Sequence, residues 1–273
     1  MYTKKLIGGF EMPVLGIGTF GMGGEHDRDD SKDSLWINSL RTAIKLGYSQ
    51  IDTAEVYGGG HTYELVREAI RGFRREKLFI TTKVSKGHLS YDDVLSSAKN
   101  SLQKMEITYI DLLLIHAYNS NIPIENTMKA MNQLKDSGII RNIGVCNFSI
   151  NQLKEAQKFG KIVVNQMKHS LWAKGGADIE TMRYCQEHDI MIVAYKLFGR
   201  GKMNTEKVEL LGQLARKYHK SEAQILTNWA ISKKNFVAIF QSTNKEHLKE
   251  NMQSMDFIID ETDIVKLDSL FNK

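Results

Sequence analysis

From residue 14 onward, short apolar runs alternate with longer segments in which apolar residues recur every three to four positions. The short runs read as strands buried on both faces and the longer segments as amphipathic helices. The strand-like runs are VLGIGTF (14–20), SQIDTA (49–54), KLFITTK (77–83), YIDLLLIHA (109–117), IIRNIGVCNFS (139–149), KIVVNQ (161–166), IMIVAYK (190–196) and FVAIFQS (236–242). Helical spacing falls between them, in segments such as SLWINSLRTAIKLG (34–47) and SYDDVLSSAKNSLQKM (90–105). Two helices, EKVELLGQLARKYH and SEAQILTNWAISK, separate the last two runs, and NKEHLKENMQ and a helix from Glu261 to Leu270 follow the final one. Ser90 and Ser149 sit where side-chain caps start helices, and Gly47 and Gly138 where helices stop. Ahead of the first run, Gly8-Gly9 followed by Phe10 to Pro13 reads as a small hairpin plug.

Strands that alternate with helices form a parallel sheet. Eight such units in 273 residues predict a closed (β/α)8 TIM barrel with a short N-terminal hairpin. The rival is an open doubly wound sheet. Its Gly-rich fingerprint should open a helix, but GIGTFGMGG runs into the charged loop EHDRDD. No linker or shift in composition divides the chain, so residues 1–273 are expected to form one domain.

Composition narrows the function classes. A hydrophobic share of 42% with 25% charged residues is that of a globular protein, not a disordered one. The formal charge of +5 is dispersed among acidic residues with no basic block, so solvated helix faces are expected and a nucleic-acid partner is not. Cys146 and Cys185 are too few for a disulfide framework, and no CxxC spacing points to a metal. The start MYTKKLIGGF lacks a signal-type apolar core, and no run is long enough to span a membrane. The expected setting is cytoplasmic, and the oligomeric state stays open.

Candidate chemistry lies at the ends of consecutive runs: Asp52 ends SQID, Tyr57 lies in DTAEVYGGG, Lys83 ends LFITTK and His116 ends DLLLIH. Catalytic faces of α/β folds lie at the carboxyl ends of strands. Adding hydride to a carbonyl requires a proton for its oxygen. Tyr57 is a candidate proton donor, with Lys83 as the cation expected to lower its pKa. Asp52 would hold the ammonium, and His116 would orient the carbonyl oxygen.

These residues also carry a resemblance. GIGTF (16–20), DTAEVYG (52–58), TTK (81–83), DLLLIH (111–116), IRNIGVCNFS (140–149), VNQ (164–166) and AYKLFGRG (194–201) resemble, in order, segments of the aldo-keto reductase superfamily. The resemblance implies a nicotinamide cofactor extended over the strand ends, an Asp-Tyr-Lys-His tetrad at Asp52, Tyr57, Lys83 and His116, and a small carbonyl or alcohol substrate. It implies cofactor contacts at Gly18, Thr19, Phe20, Asp52, Cys146, Asn147, Gln166, Tyr195, Lys196, Leu197 and Gly199. Cys146 replaces the family's serine, a weaker donor. On the eighth run and after it, the implied contacts are Gln241, Ser242, Thr243, Asn244, His247, Glu250 and Asn251. Gln241 and His247 fall where the family usually has Lys and Arg for the 2′-phosphate of NADP. NADP(H) is favoured on the family's habit, and the loss of these two cations keeps NAD(H) possible. Phe20, Tyr57, His116, Tyr118 and Trp172 are expected to line the substrate pocket, with Met22 and Phe198 as further candidates. The second reading is a cofactor-binding regulatory subunit of the same fold with little turnover.

Overall fold

The computed structural model describes residues 2–170, 179–198 and 205–271. An antiparallel hairpin, β1 (Thr3–Lys5) and β2 (Glu11–Pro13), comes first. Eight strands then close into a parallel barrel: β3 (Leu15–Gly18), β4 (Gln50–Asp52), β5 (Phe79–Val84), β6 (Leu112–Ile115), β7 (Ile143–Cys146), β8 (Val164–Lys168), β9 (Met191–Tyr195) and β10 (Phe236–Phe240), with β10 paired back onto β3. The helices are α1 (Asp33–Lys45), α2 (Thr62–Ile70), α3 (Tyr91–Met105), α4 (Ile124–Asp136), α5 (Ile150–Gln157), α6 (Ile179–Glu187), α7 (Thr205–Tyr218), α8 (Glu222–Ser232), α9 (Lys245–Met252) and α10 (Glu261–Phe271). The architecture is the expected (β/α)8 barrel with its N-terminal hairpin.

The unbroken apolar runs follow from burial on both faces. Leu113 and Ile115 of β6 join the layer between strands and helices, while Leu112 and Leu114 join the barrel interior. That interior also holds Val164, Met191, Val193, Val237 and Ile239, and the hairpin segment adds Leu6, Phe10 and Met12 to it. The hairpin therefore plugs the barrel, as the sequence predicts. The strands are shorter than the apolar runs because each run continues into a rim. IIRNIGVCNFS contracts to four residues: Ile140 makes only an isolated bridge to Ile110, and Ser149 starts the next helix.

Helix ends follow the local chemistry. The Ser90 hydroxyl accepts from the Asp93 amide, and Ser149 and Gln152 form a reciprocal capping box on α5. Gly47, at φ +106°, ends α1 in a conformation side chains resist.

Candidate active site

The barrel register brings four ionisable side chains to one rim. Asp52 is the last residue of β4, Lys83 lies near the end of β5, and His116 directly follows β6, its amide donating to the Val84 carbonyl. Tyr57 comes from the loop after β4, in a tight 3-10 turn over Tyr57–Gly60. Gly58 makes that turn possible: its φ is +55°, and a Cβ there would lie 2.3 Å from the Gly23 carbonyl oxygen. The chain after Tyr57 thus packs directly against the loop that leaves β3.

The rim groups are bonded to one another. Lys83 Nζ donates to Asp52 Oδ1 at 2.6 Å, to the Thr53 carbonyl at 2.9 Å and to the Tyr57 hydroxyl at 3.2 Å. Asp52 and Lys83 are each only 2% exposed, so this is a desolvated ion pair and not a surface contact. The second Asp52 oxygen accepts from Gln166 Nε2 at 2.8 Å. The Asp52 carbonyl accepts from both the amide and the hydroxyl of Thr19. His116 meets the Tyr57 ring edge-on at 5.8 Å, and Phe20 does so at 5.3 Å.

Burial by itself would lower the Lys83 ammonium, but the charge of Asp52, helped by the Tyr57 phenol, outweighs it and holds Lys83 above the ordinary lysine range. Lys83 is a fixed cation. Lys83 pulls the Tyr57 pKa down, as expected, but burial raises the phenol by more, so it stands above the ordinary tyrosine range. Tyr57 therefore rests as the protonated acid. Burial, reinforced by the Lys83 charge, lowers His116 to about 4, so it is a neutral imidazole near pH 7.

A cavity of about 490 Å³ opens above these groups. Phe20, Val56, Tyr57 and His116 line it together with Asn147, Gln166, Tyr195 and Phe240. Gly18, Asp52, Cys146, Lys196, Leu197 and Gln241 also line it. Thr19 does not: it is fully buried and braces the Asp52 backbone. Tyr118 does not line it either. Its hydroxyl donates to Glu155 at 2.9 Å and its ring packs on Phe148, which turns it toward α5. Met22 is a core residue with no exposure. Trp172 and Gly199 lie outside the described residues. Ser242, Thr243, Asn244, His247, Glu250 and Asn251 sit beyond the cavity, around and along α9, and Asn244 caps that helix by accepting from the Glu246 and His247 amides.

Sequence reasoning missed Glu25, His26, Val56, Ile239 and Phe240, all of which line the cavity. Val56 was recoverable from its place beside Tyr57 in DTAEVYG. Glu25 and His26 lie in a charged loop with no local sign of folding back over the rim.

The profile of the aldo/keto reductase family matches residues 14–272. The chain belongs to that family. This aldo-keto reductase is 40% identical to the thermostable aldo-keto reductase Tm1743, solved with the inhibitor epalrestat; the match has a TM-score of 0.95 and covers 99% of this chain and 100% of that one. A Klebsiella pneumoniae aldo/keto reductase, solved with NADP and acetate, matches at 27% identity and TM-score 0.87 over 98% of this chain and 95% of its own. Methylglyoxal reductase DkgB of Escherichia coli O157:H7 is 32% identical over 92% of this chain and 90% of its own length. The protein is thus an NAD(P)H-dependent oxidoreductase of aldehydes and ketones.

Part of the lining of the aldo-keto reductase cavity fits a nicotinamide. Tyr195 offers a half-buried ring face, and its hydroxyl donates to Asn147 Oδ1 at 3.2 Å. Asn147 and Lys196 both hold positive φ, +55° and +58°, a cost that clusters at functional strand ends. Gln166 Oε1 receives only a weak Cys146 thiol at 3.7 Å, which leaves acceptor capacity for a carboxamide. Burial pushes the Cys146 thiol up to about 12, so it stays protonated and unreactive. Among the described residues no helix is long and apolar enough to cross a membrane.

Proposed function

We propose that this single-domain aldo-keto reductase reduces small aldehydes and 2-oxoaldehydes to alcohols, using NADPH ahead of NADH, with Tyr57 as the proton donor. The observation that carries this reading is the contact set at the rim: a protonated, buried phenol 3.2 Å from a lysine that is itself 2.6 Å from a buried carboxylate. A bound nicotinamide supplies the hydride. Gln166, Asn147 and Tyr195 would hold it against the rim, with Lys196 and Leu197 toward its phosphates. Neutral His116 donates a hydrogen bond to the carbonyl oxygen and orients it toward Tyr57. As negative charge develops on that oxygen, Tyr57 delivers its proton, and Lys83 stabilises the phenolate that remains. Asp52 keeps Lys83 charged and fixed in place. Phe20 and Val56 supply apolar wall, in keeping with a small and uncharged substrate. A relative named as a methylglyoxal reductase supports the 2-oxoaldehyde class. Two free, buried cysteines accord with a cytoplasmic setting.

NADPH is placed first because a family relative was solved with NADP. Gln241 and His247 nonetheless leave the 2′-phosphate region short of the usual cations. A charge-assisted contact contributes roughly 1.5–3 kcal/mol, so losing two erodes discrimination by tens-fold or more. Dissociation constants for NADPH and NADH, measured side by side and followed by a panel of aldehydes and ketones with the preferred cofactor, test the reading. NADPH should win by a modest factor, and methylglyoxal should be turned over. Gln241→Lys with His247→Arg should tighten NADPH roughly tens-fold and leave NADH almost unchanged. A parent enzyme that already prefers NADPH a thousand-fold would refute this account of the tail.

A further inference from the structure

Gln166 is 3% exposed and touches two groups of different function. Its Nε2 donates to Asp52 Oδ2 at 2.8 Å, and its Oε1 receives the Cys146 thiol at 3.7 Å. The orientation is set by chemistry. A carboxylate only accepts, so the amide must turn its NH2 toward Asp52, and its carbonyl then faces Cys146 and the cavity. Asp52 has no spare oxygen: Oδ1 is taken by Lys83 and Oδ2 by Gln166, while the backbone carbonyl is held by Thr19. A continuous path therefore runs from Tyr57 through Lys83, Asp52 and Gln166 to Cys146, and on to Asn147, whose Nδ2 lies 3.3 Å from the Cys146 sulfur. It joins the proton donor to the lining residues that fit the nicotinamide.

From this geometry we propose that Gln166 is a positioning residue for the tetrad: by donating to Asp52 it fixes the carboxylate that aims Lys83 at Tyr57. Contact with the cofactor is a separate role. A glutamine that served the cofactor alone would have no need of its amide nitrogen on a carboxylate already paired with lysine. With that bond gone, Asp52 Oδ2 becomes a buried oxygen with no partner, a costly state that is relieved by turning the carboxylate. Turning it moves Oδ1 away from Lys83. In the other direction, Asp52 dictates which end of the Gln166 amide is presented to the cavity. Side-chain networks of this kind lose function as a unit.

The inference rests on the proposed role of Tyr57, so its test begins without cofactor. Tyrosine labelled at 13Cζ reports each phenol's ionisation, and the Tyr57 signal is assigned by its loss in Tyr57→Phe. In Gln166→Met, Tyr57 should titrate roughly half a unit to one unit higher than in the parent, a fraction of the roughly one to three units that a close opposite charge commands. Gln166→Glu keeps the shape but sets a second acceptor against Asp52, and should raise Tyr57 at least as far. Kinetics give the second readout. Gln166→Met should lower kcat for aldehyde reduction about tenfold, and the same change in an Asp52→Asn background should lower it scarcely further. An unmoved Tyr57 titration in both variants, or a rise in cofactor Kd by the same factor in both backgrounds with kcat untouched, would overturn the proposal. If the parent reduced no carbonyl, the proposed function would fall, while the titration would still decide the role of Gln166.

Discussion

Tyr57, Lys83 and Asp52 act as one unit because each fixes the next: the phenol meets the ammonium at 3.2 Å, and the ammonium meets the carboxylate at 2.6 Å. Lys83→Met leaves Asp52 as an unpaired buried charge, and Asp52→Asn leaves Lys83 poorly aimed. Each should cut kcat sharply, and the double variant should be scarcely worse than Lys83→Met alone. Losses that simply multiply in steady-state kinetics would show that the pair is not coupled. Histidines set a pH dependence at the same scale. Burial lowers His116 to about 4 and His169 to about 3, against 6.5 in an unfolded chain. As pH falls below about 6.5 the unfolded chain takes up these protons first, so stability is lost from there down to the folded values and is flat above. Thermal unfolding should show this acid limb, and His169→Phe, which keeps the ring against Trp229, should make it shallower. An unchanged slope would contradict the assignment. The tetrad was legible in the sequence because four reactive residue types stand at consecutive strand ends. The upward direction of Tyr57 was not, because it comes from tertiary burial that outweighs the neighbouring cation. Nor was the Gln166–Asp52 bond, which joins residues 114 apart.

At the scale of elements, the turn after β4 places the proton donor. Gly58 is doubly required there, for its φ of +55° and for the Gly23 carbonyl that a Cβ would meet at 2.3 Å. Backbone strain of this kind costs about 1–3 kcal/mol, and the steric contact adds to it. Gly58→Ala should therefore lower Tm by several degrees, roughly 2–4 °C per kcal/mol in a chain of this size. It should also lower kcat, because the loop must move and take Tyr57 with it. A variant with parental Tm and kcat would show that the turn is not rigid. Helix starts at Ser90 and Ser149 could be read directly because a side-chain oxygen signals an unpaired backbone amide. Strand limits could not: apolar residues such as Ile139 and Ile140 continue past the ladder, and only pairing marks where it ends.

At the scale of the whole molecule, closure of the barrel turns a linear alternation into a ring, and the ring makes residues from β4, β5, β6 and β8 neighbours. The count of strand and helix runs disclosed that closure, and the Gly8-Gly9 pair ahead of Phe10 to Pro13 disclosed the plug. The cavity wall was only partly legible. Gln241 and Tyr195 were implied by the family resemblance, whereas Glu25 and His26 reach the rim through a loop with no periodicity. Tyr118 failed as a pocket residue because a carboxylate on α5 claims its hydroxyl. The central claim is that the molecule reduces carbonyls with Tyr57 as the acid. Its most direct test is Tyr57→Phe, which keeps the ring between Phe20 and His116 and removes only the hydroxyl. Aldehyde reduction should fall by ~10²- to 10⁴-fold while the NADPH dissociation constant stays near that of the parent. A variant that retained most of the parental kcat would contradict the account.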